Sequence, residues 1–408
     1  MPQNTKKPQL RFKGFTDDWE QRKLGEVAKY KNGKAHENYI LDSGRYIVVN
    51  SKFVSTEGNI CKYSNKQIEP LYINDIAFVL SDIPNGRALA RTYLVEKNDR
   101  YTLNQRIAGI SPNEVAWPYY LYILMNRNKY FLQFDDGVKQ TNLSFNDVMG
   151  FEEYYPSFSE QKKIGKYFEK IDNFITLHQR KLEKLKNVKK SMLEKMFPKN
   201  GSNVPEIRFK GFTDDWGQRK LSSLCEKFTD GDWIEAKDQS DSGIRLIQTG
   251  NIGTTEYLDK INNAKWISEE TFERLHCEEI FEGDILISRL PEPAGRACII
   301  PDLGTKMITA VDCTIVRKNS EVISEYLVQY LSTPKYFKEI NTLLGGGTRQ
   351  RISRGNLAEI VVPIPIKIKE QKKIGGYFSY LDNLITLHQR KLEKLQNIKK
   401  ACLEKMFV

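Results

Sequence analysis

Two kinds of hydrophobic pattern alternate along this chain. Over residues 160–197, apolar side chains recur at steps of three and four, at Ile164, Phe168, Ile171, Ile175, Leu182, Leu185, Met192 and Met196, with no proline and one early glycine. That is the heptad seam of one long helix. Residues 370–407 repeat it at Ile374, Phe378, Leu381, Ile385, Leu392, Leu395, Cys402 and Met406. Each helix, at about 38 residues, would run about 57 Å at a rise of about 1.5 Å per residue. Elsewhere Gly, Pro, Asn and Asp punctuate short β-branched or aromatic runs, and residues 46–49, 76–80, 285–287 and 310–316 read as strands. Residues 117–131 and 324–340 read as helices. Each interior is therefore expected to be a mixed α/β domain.

The pattern recurs because the chain is written twice. Residues 8–24, PQLRFKGFTDDWEQRKL, return at 205–221 as PEIRFKGFTDDWGQRKL, identical at 14 of 17 positions, and residues 160–197 return at 370–407, identical at 29 of 38. Between these matched ends the interiors have diverged, yet landmarks keep their order. Pro84-Asn85-Gly86-Arg87-Ala88 lines up with Pro293-Ala294-Gly295-Arg296-Ala297, and Gly137-Val138-Lys139-Gln140 with Gly347-Thr348-Arg349-Gln350. One fold carrying two different surfaces is expected.

The first long helix opens on Ser157-Phe158-Ser159-Glu160, a capping box. The second opens on Lys367-Ile368-Lys369-Glu370, lacks the capping hydroxyl, and is expected to fray more easily. Pro198 and the Lys199-Asn200-Gly201-Ser202-Asn203 that follows stop the first helix and supply a flexible link. A one-sided seam has to be buried, and the other copy supplies a matching one. The expected architecture is α/β (mixed α+β): two pseudo-repeated domains separated by two long helices that form an antiparallel coiled coil.

Composition and charge change the picture in one respect. The chain has 408 residues, 40% hydrophobic and 28% charged, with no apolar run long enough to span a bilayer. Its N-terminus lacks the apolar core of a signal peptide, so a cytoplasmic location is expected. Six cysteines show no CxxC and no Cys/His ligand spacing and read as reduced thiols. The net charge of +11 points to a polyanionic partner. It is unevenly placed: +3 over residues 1–159, +7 over 160–199, −3 over 200–369 and +4 over 370–408.

No enzyme site assembles from the motifs. There is no GxxxxGK[ST], no GxGxxG after a strand, no HExxH and no GxSxG. His178 and His388 are copies of one seam position and suit a register-setting polar layer. The pairs Asp17-Asp18 and Asp214-Asp215, beside Trp19 and Trp216, read as surface turns with a packed tryptophan rather than as metal sites. The loop Gly345 to Arg354 is glycine-rich, but no Lys-Ser/Thr pair follows to hold a nucleotide. Arg349, Gln350, Arg351 and Ser353 there suit groove contact, because Arg forks onto guanine and Gln onto adenine; a solvated loop is the competing reading. Lys139, Gln140 and Thr141 are the counterparts in the first half, and Arg87 and Arg296, at the matched turns, are further candidates. Lys181, Lys184, Lys189, Lys190 and Lys195 form either a solvated helix face or a backbone contact.

Two variable domains, each introduced by RFKGFTDDW and closed by an EQKKIG helix after a proline-containing strand, resemble the specificity (S) subunit of a type I restriction-modification system over essentially the whole chain. The resemblance implies target-recognition domains at residues 1–158 and 205–368, long helices at 159–198 and 369–408, and a linker at 199–204. It implies that each domain reads one half of a split target in double-stranded DNA, with the helices setting the spacing and docking two methyltransferase (M) subunits. It further implies restriction (R) subunits, and S-adenosylmethionine, ATP and magnesium on those partners rather than on this non-catalytic chain, with no membrane partner. A duplicated coiled-coil scaffold without DNA contact is the alternative.

Overall fold

The computed structural model describes residues 7–199, 201–346 and 350–407. The chain divides into two compact units, Met1–His178 with Lys391–Val408, and Gln179–Arg390. The division falls within both long helices, Phe158–Lys195 and Ile368–Met406, so each unit holds one interior and a segment of each helix.

In the first unit the central sheet is antiparallel, in the order Ala28–Asn32, Ile107–Pro112, Ile76–Val79, Thr92–Leu94. A second sheet runs Tyr63–Ser64, Tyr46–Val49, Tyr101–Leu103, Pro70–Leu71, with its two middle strands parallel. The strand Ile76–Val79 is buried on both faces, and its period of two divides it between two cores. Ile76 and Phe78 pack with the helices, while Ala77 and Val79 pack with Ile47, Val49 and Leu103.

The second unit repeats this topology strand for strand. Its central sheet runs Cys225–Asp230, Cys313–Lys318, Ile285–Ser288, Ala297–Ile299, and its second sheet Lys265–Ile267, Ile244–Ile247, Met307–Thr309, Glu279–Ile280, again with a parallel middle pair. The two interiors are one fold. Some expected elements are subdivided. The strand expected at 310–316 starts only at Cys313 and runs to Lys318; Met307–Thr309, just before it, belongs to the other sheet. The helix expected at 117–131 stops at Met125, and Asn128 caps a separate turn from Lys129. The one expected at 324–340 is split by Pro334, with Thr333 as the new cap.

Within each unit the long-helix segments run antiparallel. In the first, Tyr167 lies against Cys402 and Asp172 meets Lys399 at 2.6 Å; in the second, Lys189 meets Asp382 at 2.5 Å and Phe197 stacks on Phe378. Asp172 and Asp382 are the same repeat position, and each also binds its own interior. Asp172 accepts from Tyr119, and Asp382 accepts from Thr255 and Gln329. Seam residues Ile164, Phe168, Ile374 and Phe378 are buried, whereas Ile175, Leu182 and Leu392 are half-buried.

The matched end segments explain their own sequence. Glu160 is fully buried at the head of its helix and takes both forks of Arg11 at 2.7 Å; Glu370 does the same with Arg208 at 2.6 and 2.9 Å. Gln161 donates to the carbonyls of Val115 and Pro156 and accepts from Trp117 N–H, and Gln371 donates to Glu321 and Pro365 and accepts from Ile323. Gly165 is required because a Cβ would stand 2.8 Å from the Trp117 ring, and at Gly375 one would stand 2.9 Å from Tyr326 N. Lys163 covers Phe12 and Phe15, and Lys373 covers Phe212. The capping box is thus not formed as expected: Glu160 turns to Arg11, and Ser157 Oγ bonds Ser159 Oγ. The second start carries the same ties, through Arg208 on Glu370 and through Gln371. Trp19 and Trp216 are buried, while Asp18 and Asp214 pair with Lys7 and Lys367 on the surface.

Removing Arg208 would leave a buried carboxylate without its partner. Arg208→Ala is expected to destabilise the second unit by about 3–5 kcal/mol, and Arg208→Met with Glu370→Leu to restore much of the loss. Denaturant titration followed by tryptophan fluorescence checks both.

Candidate nucleic-acid interface

One end of each central sheet collects the loops that carry the sequence-predicted residues. In the first unit this is where Ala28–Asn32 ends, Ile107–Pro112 begins, and Ile76–Val79 turns back into Thr92–Leu94. Asp82 shapes the turn there: its carboxylate accepts from the amides of Ile83, Ala88 and Leu89. Asn85 then reaches across to the carbonyl of Gly137, and Thr141–Asn142 pairs with Ser81–Asp82. The structure therefore brings Arg87, Lys139 and Gln140 to one surface.

Their freedom differs. Arg87 and Lys139 are exposed; the Lys139 backbone is fixed by Asp136, whose carboxyl is held below its usual range by the amides of Lys139 and Val138. Gln140 is exposed, with its amide nitrogen on Ser81 and Asn142. Thr141 is a correction: it is buried, and its hydroxyl donates to Asp135, so it shapes the loop rather than facing outward.

In the second unit the corresponding end gathers the loops after Asp230, after Ser288, before Cys313 and around Gly345 to Ser353. The last is tied in by mutual backbone bonds between Gly345 and Arg351 and by Ile352 N–H on the carbonyl of Arg289. Gln350 and Arg351 are exposed, and Arg351 stands 3.8 Å from Asp312. Arg349 lies outside the described residues. Ser353 is exposed, and its hydroxyl accepts from Asn356 N–H and caps the helix Arg354–Glu359, as Ser144 caps Phe145–Met149.

Arg296 is the larger correction. Its guanidinium donates to four backbone carbonyls, those of Ile252, Thr249, Leu290 and Pro293, at 2.7 to 3.1 Å. With its donors so engaged it cannot fork onto a base; it holds the turn that carries it, and burial lowers its pKa. In the first unit that task falls to Arg127, which donates to the carbonyls of Gly86 and Leu89 and leaves the matched Arg87 exposed. Equal alignment position does not mean equal role.

Two residues of this end, Arg289 and Trp233, are not singled out by the sequence; Arg354 closes the Gly345 to Arg354 loop that is. Arg354 sits 3.9 Å from Asp230, and Arg289, buried, sits 3.5 Å from the same carboxylate while donating to the carbonyl of Val311. Trp233, three residues beyond Asp230, is 70% exposed. A tryptophan flanked by Gly231-Asp232 and Glu235 was the available signal for the last; nothing local marked the arginine pairing, which the fold creates. Among the described residues no cluster of His, Cys, Asp and Glu is placed to hold a metal ion, and no helix is long and apolar enough to cross a membrane. The six cysteines are free thiols.

Comparison with known proteins agrees with the duplicated layout. The type I restriction modification DNA specificity domain matches twice, over residues 16–187 and 213–397. The chain is similar to the type I restriction enzyme MjaVIII specificity subunit of Methanocaldococcus jannaschii, 23% identical over 403 residues that cover 94% of this chain and 91% of that one. It is similar also to the putative MjaX specificity subunit of the same organism, 24% identical over 419 residues with the same coverage. In fold it matches the crystal structure of the type I restriction-modification S subunit from M. genitalium, with a TM-score of 0.70 at 16% identity, over 98% of this chain and 99% of that one. With the domain matched in both halves and over most of its length, this chain belongs to the type I restriction-modification DNA specificity family.

Proposed function

We propose that this chain is the sequence-reading subunit of a type I restriction-modification complex in the cell interior, with each unit reading one half of a bipartite DNA target through the loop end of its central sheet. The observation that carries this reading is the contrast between the shared order of the two four-stranded sheets and the different side chains at those two ends. A shared scaffold presents Arg87, Lys139 and Gln140 in one unit and Gln350, Arg351 and Arg354 in the other. Arginine and glutamine at such positions match the donor and acceptor patterns of the major groove. Two methyltransferase subunits would bring S-adenosylmethionine, and restriction subunits ATP and magnesium, leaving this chain without catalytic duty. The paired helices would set the spacer and dock the methyltransferase subunits. Methylome sequencing of cells expressing this chain with its methyltransferase partner tests the reading: a bipartite motif supports it. Absence of salt-dependent binding to any specific duplex by the assembled complex would instead favour a protein scaffold.

Arg351→Ala is expected to cost about 1–3 kcal/mol of discrimination in the second half-site alone if the side chain forks onto a base. Arg296→Ala is expected to lower the stability of its unit instead, seen as a shifted denaturation midpoint with the motif kept. Residues 1–158 and 205–368 would act as separable recognition domains. Exchange of residues 25–159 for another family member's first interior should then rewrite one half of the methylated motif and spare the other. For the spacer, insertion of four residues after Lys184 and after Lys394 adds about 6 Å to each helix. The methylated motif should then carry a spacer longer by one or two base pairs, with both half-sequences kept, or modification should cease.

A further inference from the structure

Trp233 has no role in the reading above. Tryptophan is among the side chains most thoroughly covered in folded proteins, and a 70% exposed one on a rigid loop calls for a reason. The loop is rigid by several independent ties. Gly231 N–H donates to the carbonyl of Cys313 at 3.0 Å, Asp232 N–H to that of Thr309 at 2.9 Å, and Val311 N–H to that of Asp232 at 2.8 Å. Gly231 passes so close to the neighbouring strand that a Cβ would lie 2.3 Å from the Thr309 carbonyl oxygen. On the far side, Asp238 accepts from Glu235 N–H and is held by Arg274 at 2.6 Å. The indole is thus presented, not left over from a loose segment.

The first unit builds the same close approach without the ring. Gly33 N–H donates to Ile107, a Cβ at Gly33 would overlap the Asn104 carbonyl, and the position matching Trp233 is Ala35. The scaffold therefore does not need an aromatic here; only the second surface carries it. That surface is the loop end already described, since Val311, bonded to Asp232, precedes the Asp312 that faces Arg351. The indole Nε1–H is directed to Glu235 Oε1 at 3.4 Å, which leaves the hydrocarbon edge of the ring for contact. In the major groove the one apolar group that distinguishes base pairs is the thymine C5-methyl.

We propose that Trp233 is the apolar specificity contact of the second unit, set against a thymine methyl in the half-site that unit reads. The inference rests on the DNA-recognition reading and sharpens it. The test uses the complex with the methyltransferase partner and duplexes carrying its methylated motif, with deoxyuridine replacing each thymine of the second half-site in turn. Wild type should lose affinity at one such position by about fourfold, the worth of one buried methyl group. Trp233→Ala should bind the thymine and deoxyuridine duplexes alike, relax the motif at that position, and leave the first half-site unchanged. Its denaturation midpoint should equal that of wild type, because the ring is exposed. Indifference of wild type to every deoxyuridine would overturn the proposal, as would an unchanged motif and affinity in Trp233→Ala. Loss of methyltransferase binding by Trp233→Ala with its DNA motif intact would reassign the ring to a protein interface. Failure of the wild-type complex to modify any specific sequence would bring down the recognition reading itself, an outcome separate from these.

Discussion

A carboxylate buried at the head of each long helix governs the arrangement of its unit. Glu160 and Glu370 are sheltered from water, and a buried charge is tolerated only when paired and hydrogen-bonded. The partner in each case is the arginine of the RFKGF segment, so that segment has one place to lie. From there the chain follows without freedom: the tryptophan eight residues on enters the core, and the next four residues pair with the strand that leads into the helix, Glu20–Lys23 on Glu152–Tyr155 and Gly217–Lys220 on Val361–Ile364. The adjacent glutamine fixes the loop before the helix Pro118–Met125, or Ser324–Tyr330 in the second unit, and the glycine four residues later lets that loop approach. Helix, entry segment and interior are thereby locked as one piece.

This is why identity concentrates where it does. The repeated segments carry ion pairs and close approaches at Arg11, Glu160, Gly165 and their copies Arg208, Glu370 and Gly375, where substitution strands a charge or makes a clash, whereas the interiors need only hydrophobic strands of the right period. The loop ends of the central sheets are then free to differ. Asp172 and Asp382 extend the same logic to the helices, each joining a lysine of the antiparallel partner segment to a polar group of its own interior.

The repeat, the long helices and the mixed α/β interiors are legible in the sequence because they rest on periodicity and on identity between copies. The helix breaks at Met125 and Pro334 are less so, since an apolar run of helical spacing hides a cap within it. At the proposed interface the sequence points to loops that the fold gathers at one end of each central sheet, but not to which of their side chains are free. Arg296 and Arg87 occupy matched positions, and only the fold shows that one is bound to four carbonyls while its counterpart is released by Arg127. Thr141 and Ser353 have the chemistry of groove contacts, yet the Asp135 carboxylate engages the one and the Asn356 amide the other. Trp233 is the converse case, since hydrophobicity alone argues for burial and only the tertiary ties of its loop keep it outside.

Under the proposed reading, the negative balance of residues 200–369 poses a question for a surface that would meet DNA, and the pairing geometry suits it. Asp312 and Asp230 stand 3.8 and 3.9 Å from Arg351 and Arg354, beyond direct hydrogen-bond distance, and the two arginine side chains remain about half exposed. Such pairs are weak in water, so an arginine can exchange its carboxylate for a base edge at small cost. The carboxylates meanwhile oppose phosphates and any base that does not repay the loss of the ion pair. A recognition surface tempered in this way gives up non-specific affinity, which scales with uncompensated positive charge, and keeps discrimination, which depends on the difference between right and wrong partners. In that reading the positive charge that would draw in the DNA backbone can reside elsewhere, on the lysine-rich helices or on partner subunits, without blurring what the loops would read.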